Sequence, residues 1–167
     1  MITESEKQRF IELQQMALDA ARRGDTEMLA PMIGAGMPVE LKDGKGNTLL
    51  MLAAYHGHPV LVEALLARGA RPDERNDRGQ TPLAGVAFKG HFEVARMLLQ
   101  AGADPEADQG GGQTPGMFAA MFGHPRIVEL LEEAAEGRRQ KVWGLRASTL
   151  ARWTSRIRAM LPRRAGA

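Results

Sequence analysis

The chain contains no cysteine among its 167 residues. That absence excludes a disulfide scaffold, a cysteine nucleophile and any thiolate metal site. Long apolar runs are missing as well. Stretches free of Asp, Glu, Lys and Arg, such as residues 46–62, carry Gly, Asn, Pro and two His. None matches the roughly 20 apolar residues of a membrane-spanning helix. The opening MITESEKQRF mixes acids with bases and lacks an apolar core, which predicts no secretory leader and a cytoplasmic location. Net charge is small, at +2, but it is a sum of opposites: residues 1–135 hold 13 basic and 19 acidic side chains, whereas residues 136–167 hold 9 basic ones and the single acid Glu136. What is present in quantity is ordinary core material, with 44% hydrophobic and 25% charged residues, enough in a chain of this length to bury a core.

The hydrophobic and turn residues recur with a fixed period. Gly24, Gly57, Gly90 and Gly123 lie 33 residues apart, and so do Thr48, Thr81 and Thr114, and His58, His91 and His124. Gly36, Gly69 and Gly102 repeat the same step, as do Leu65, Leu98 and Leu131. Within GNTLLMLAAYHGHPVLVEALLARGARPD the order is a helix from Thr48 through Ala54, a Gly-His turn, a second helix through Leu66, and Gly69 as its stop. A polar stretch from Pro72 to Gly79 leads to the next Thr81. Two short helices and a turn cannot bury an apolar face alone, so the units must stack.

At these residues the chain resembles the ankyrin repeat family. RGQTPLAGVAFKGHFEVARMLLQAGADPE at 78–106 carries the family's pattern, and GNTLLMLAAYHGHPVLVEALLARGA and GQTPGMFAAMFGHPRIVELL repeat it. The resemblance implies an all-α solenoid of stacked helix-turn-helix units with long turns; outside the resemblance, the residue pattern adds a C-terminal helix. The array occupies 1–135, with a degenerate first repeat at 5–42 and full repeats at 43–75, 76–108 and 109–135; residues 136–167 form a basic amphipathic helical tail. In the degenerate unit the second helix falls near Asp25–Ile33. The His of the family's Thr-Pro-Leu-His is replaced by Met51, Ala84 and Met117, so the hydrogen-bond ladder between repeats is expected to be absent, with packing in its place. Gly85 and Gly116 each cost a helix about 1 kcal/mol relative to Ala. The turn Gln109–Gly112 reads as floppy, and the last full repeat as the least stable. At the other end, Thr3 and Glu6 form a capping box for a helix to about Arg23, with Phe10, Leu13, Met16 or Ala17, and Ala20 covering the first repeat.

Catalytic chemistry finds no foothold. His56-x-His58 has the look of a metal pair, but no third or fourth ligand joins it, and the repeating His residues read as helix caps that orient the turn. Gly110–Gly112 lacks the Lys-Ser/Thr of a phosphate loop, no nucleophile elbow appears, and the ten methionines read as soft core. No enzyme, metal or cofactor is expected, and no small-molecule substrate is implied.

The resemblance implies instead a non-catalytic adaptor that binds a protein partner on its concave side. The positions carried over are Lys45, Asn47, Asp77, Arg78, Gln80 and Gln113 at the turn tips, and Tyr55, His56, Phe88, Lys89, Met121 and Phe122 at the first-helix ends. Tyr55, Phe88 and Met121 form a column one repeat apart, either an exposed apolar strip or packing between repeats. The tail adds Trp143, Trp153, Arg152 and Arg156, on a helix that Ser148 caps and Pro162 ends, with Gly137 and Gly144 as a hinge. Three readings of it stand: a cap on the last repeat, a protein dock, or attachment to an anionic membrane through residues 138–164. Nucleic acid is disfavoured because the acidic array repels phosphate.

Overall fold

The computed structural model describes residues 3–141. Seven helices are bounded as α1 (Glu4–Arg23), α2 (Thr26–Gly34), α3 (Leu49–Tyr55), α4 (Pro59–Ala67), α5 (Pro82–Lys89), α6 (Phe92–Gln100) and α7 (Pro115–Met121). An eighth, α8, runs over residues 125–141. The first helices of successive units, α1, α3, α5 and α7, pack in series, and the second helices α2, α4 and α6 form a parallel row.

Each threonine of the repeating column starts a helix. Thr48, Thr81 and Thr114 accept through Oγ1 from the backbone N–H groups of Met51, Ala84 and Met117, satisfying one of the donors every helix start leaves open. The column Leu65, Leu98 and Leu131 is buried between the two rows, each side chain contributing about 1.5–3 kcal/mol. The tips between repeats are tight hairpins, closed by Asp43 N–H to Asn47 O, Asn76 N–H to Gln80 O and Gln109 N–H to Gln113 O.

The expected absence of a hydrogen-bond ladder is wrong. His58, His91 and His124 reach back one repeat, their Nε2 atoms 2.8, 3.1 and 3.1 Å from the carbonyl oxygens of Arg22, Tyr55 and Phe88. A carbonyl can only accept, so Nε2 carries the proton. These carbonyls end α1, α3 and α5, where helical partners run out. Nor do the histidines cap their own helices: His58 and His91 stand at N-cap positions without a capping side-chain bond. The Gly-His dipeptide thus acts across repeats. Gly24, Gly57 and Gly90 have φ of 74°, 75° and 82°, and a Cβ on any of them would lie within 2.7 Å of the next repeat's imidazole. Asp25 stands where the first unit would carry its His. There it caps α2 through Met28 N–H instead.

Three other expectations change. The Gln109–Gly112 turn is held, not floppy: Asp108 Oδ1 accepts from Gly110 and Gly112 N–H, and buried Gln109 bonds Thr81 N–H at 2.7 Å and Ala107 O at 2.6 Å. The capping box of α1 is present, yet Phe10, Leu13 and Met16 are exposed, and burial begins at Ala17. At 20 residues α1 is about 30 Å long, far longer than the seven-residue α3 packed beside it. Finally, Gly137 is no hinge, because α8 passes through it unbroken. Gly144 and the tail residues Trp143, Arg152, Trp153 and Arg156 lie outside the described residues.

Candidate interaction groove

The hairpin tips and the first-helix ends project to the same side and enclose an open groove of about 790 Å³. Its aromatic wall is continuous. The Tyr55 and Phe88 rings stack with centroids 6.4 Å apart and planes at 9°, and Phe88 meets Phe122 edge-on at 4.3 Å. Tyr55, Phe88 and Phe122 nonetheless remain 40%, 36% and 46% exposed. Packing between repeats and an exposed apolar strip are therefore both present in one column. The strip passes through Phe122, while Met121, the periodic position, turns out to solvent. Gly85 makes this stack possible: a Cβ there would sit 3.3 Å from Tyr55 Cδ2.

The tips are stapled from within. Asp43 Oδ1 accepts from Lys45 and Asn47 N–H at 2.9 Å, and its Oδ2 meets Asn47 Nδ2 and Arg22 Nη2, each at 3.1 Å. Burial raises the Asp43 pKa, but the Asn47 amide, the two backbone donors and Arg22 outweigh it, and the carboxyl is held below its ordinary range. Asn76 repeats the staple one unit on, accepting from Arg78 and Gln80 N–H and donating to Asn47 Oδ1 at 2.9 Å. In the last tip the equivalent residue is Gln109, whose longer side chain turns into the core, and Asp108 supplies the staple from one position earlier.

Of the twelve array positions singled out from sequence, Lys45, Asn47, Tyr55, His56, Arg78, Gln80 and Phe88 line the groove together. Lys89 stands at the rim with Nζ 5.4 Å from the Tyr55 ring centroid, a cation–π distance. Asp77 is on a tip, its N–H bonded to Lys45 O. Met121, Phe122 and Gln113 belong to the last repeat and lie beyond the enclosed part of the groove, where Phe122 extends its wall past Phe88. The lining also includes Gln15, Leu18 and Arg22 of α1, which the sequence pattern could not flag because the first unit lacks the motif. Met51 and Leu52 form its floor and were legible only as core. Burial, then the neighbouring charges of His58, Lys89, Arg22 and His91, holds His56 below the ordinary imidazole range.

Among the described residues no three His, Asp or Glu side chains converge to hold an ion, and no helix is long and apolar enough to cross a membrane. Arg138 and Arg139, the first of the basic tail, pair with Asp104 at 2.7 Å and Glu106 at 2.6 Å. Glu106 continues a column: Glu40 and Asp73, at the same step, accept from backbone N–H groups of the following turn. Where the last turn is missing, Arg139 takes the place of that donor.

Stacked helix pairs, stapled hairpin tips and an open groove define a helical-repeat interaction scaffold. The family model for ankyrin repeats, in three copies, matches residues 17–109, more than half of the chain, and the protein belongs to the ankyrin-repeat family. Such repeats generally mediate protein–protein interaction, and the family is generally non-catalytic. An ankyrin repeat protein of Pseudomonas aeruginosa is 48% identical over 40 residues, which cover 24% of this chain and 23% of that protein. The match thus spans about a quarter of the curated relative's length.

Proposed function

We propose that the protein is a non-catalytic adaptor that captures a protein partner in the concave groove. The observation that carries this reading is the Tyr55–Phe88–Phe122 wall: three aromatic rings in series, Phe88 paired with each of the others, each more than a third exposed. Aromatic side chains in a rigid concave setting contribute disproportionately to interfaces. They lose little conformational freedom on binding, because each ring is already fixed by its neighbour.

The test is affinity capture from the native host with the full chain and with a Tyr55→Ala/Phe88→Ala variant, followed by mass spectrometry. The expected result is a protein retained by the former and lost by the latter, with the thermal midpoint of the variant within about 5 °C. Equal retention by both would remove the aromatic wall from the interface. Loss of folding would assign the rings to the core; single Tyr55→Phe and Phe88→Leu variants, which keep the packing volume, then decide whether capture still depends on the wall.

A further inference from the structure

The charges around the groove run against those of the molecule that carries it. Residues 1–135 hold six more acids than bases, yet the cationic side chains Arg22, Lys45 and Arg78 line the groove, and its one acidic lining residue is Asp43. Asp43 is already occupied by Arg22 and by the Asn47 staple. Lys45 and Arg78 stand one repeat apart on the tips and form no ion pair among the described residues, and neither does Lys89 at the opposite rim. Asp77, beside Gly46, is the other carboxylate of these tips, and Lys45, Arg78 and Lys89 together outnumber it.

The charge is also placed asymmetrically. One repeat beyond Arg78 the tip carries Gly111, and one repeat beyond Lys89 stands Phe122. The groove is therefore basic along the tips of the first two full repeats, with Lys89 the one cation on the helix-end rim, and apolar along the third.

We infer that the groove receives an acidic protein segment with an apolar anchor, its carboxylates meeting Lys45 and Arg78 and its apolar side chain seated against Phe88 and Phe122. This rests on the groove being the binding site and names the chemistry of what enters it. Packed repeats lie about 10 Å apart, which an extended chain covers in about three residues at ~3.3 Å each. The segment accordingly carries acids about three positions apart, followed by a large apolar residue. Charges so placed also speed encounter and reject basic partners.

The experiment is selection from a random peptide display library on the full chain and on two variants, Lys45→Glu/Arg78→Glu and Phe88→Ala, each checked by thermal melting. The full chain is expected to enrich acidic peptides with an aromatic or large aliphatic residue. Charge reversal should weaken the enriched peptides by at least about tenfold and turn selection toward basic sequences; both substituted side chains are exposed, so folding is preserved. Selection of neutral or basic peptides by the full chain, or no enrichment at all, overturns the inference. Peptides weakened by Phe88→Ala but indifferent to charge reversal leave the groove as the site and refute its acidic partner. Peptides indifferent to both variants refute the groove itself. A single-stranded oligonucleotide or anionic vesicles binding in a manner lost on charge reversal, with no peptide enriched, would reassign the cations to phosphate.

Discussion

Asp43 shows how one side chain joins tip, helix and groove. It staples two backbone N–H groups, holds Asn47 and receives Arg22 from α1. Because its folded pKa lies below its ordinary value of 3.8, the folded state binds the proton less readily than the unfolded chain. The stability it contributes is fully present above that value and is lost as pH falls below it through the lower folded value. Asn76 performs the staple with an amide, so Asp43→Asn should fold, giving up the charge and little else. Urea melts are expected to show the variant less stable at pH 7 by about 1 kcal/mol, with the difference shrinking below pH 3.8 and vanishing once pH has fallen through the depressed folded value. A difference that persists in acid would assign the loss to geometry instead of charge. Asn76 falls within the polar turn stretch legible in the sequence; that Asp43 staples the tip before it, and that the last tip shifts its staple to Asp108, were not, because nothing local announces that Gln109 turns inward to serve Thr81.

The Gly-His dipeptide links neighbouring helix pairs, and it sets a coupling that can be measured. Gly57 serves two ends at once: its φ of 75° closes the turn, and its missing Cβ leaves room for His91, whose ring atoms would lie 2.7–2.9 Å from a methyl there. His91→Ala alone removes one hydrogen bond and should cost about 0.5–1.5 kcal/mol. Gly57→Ala alone should cost more, from backbone strain and collision together. In the double variant the collision is gone, so the two losses are expected to sum to more than the pair shows, by about 0.5–3 kcal/mol. Strict additivity in equilibrium unfolding would mean the imidazole simply swings aside. The columns themselves were plain in the sequence. That they cap helix ends was legible too; that the capped end belongs to the preceding repeat was not, because a period reports that residues recur and not which neighbour they touch 36 residues away.

Along the whole stack, burial depends on having a neighbour on each side. Met51 and Ala84 are 6% and 3% exposed, but Met117, at the same step in the last repeat, is 50% exposed. Ala54 and Ala87 are buried, and Ala120 is exposed. In a linear array, stability is the sum of each unit and its interfaces, and the last unit has one interface fewer among the described residues. Native-state hydrogen exchange should therefore open α7 at a lower free energy than α3 and α5; equal protection across the three would show that the residues beyond 141 supply the missing interface.

The 33-residue period, the threonine caps, the glycine stops and the aromatic column all follow from residue order, since each depends on local backbone conformation or on a spacing that any stack must honour. The contacts that make the array a working surface come from elsewhere. That α1 overshoots its neighbours, that His58 seeks the carbonyl of Arg22, that Arg139 answers Glu106, and that the rings of Phe88 and Phe122 meet in place of Met121 are matters of distance between residues far apart in the chain. Spacing ranks such pairs equally. Side-chain length and the room left by packed neighbours select among them, and those exist only once the repeats are stacked.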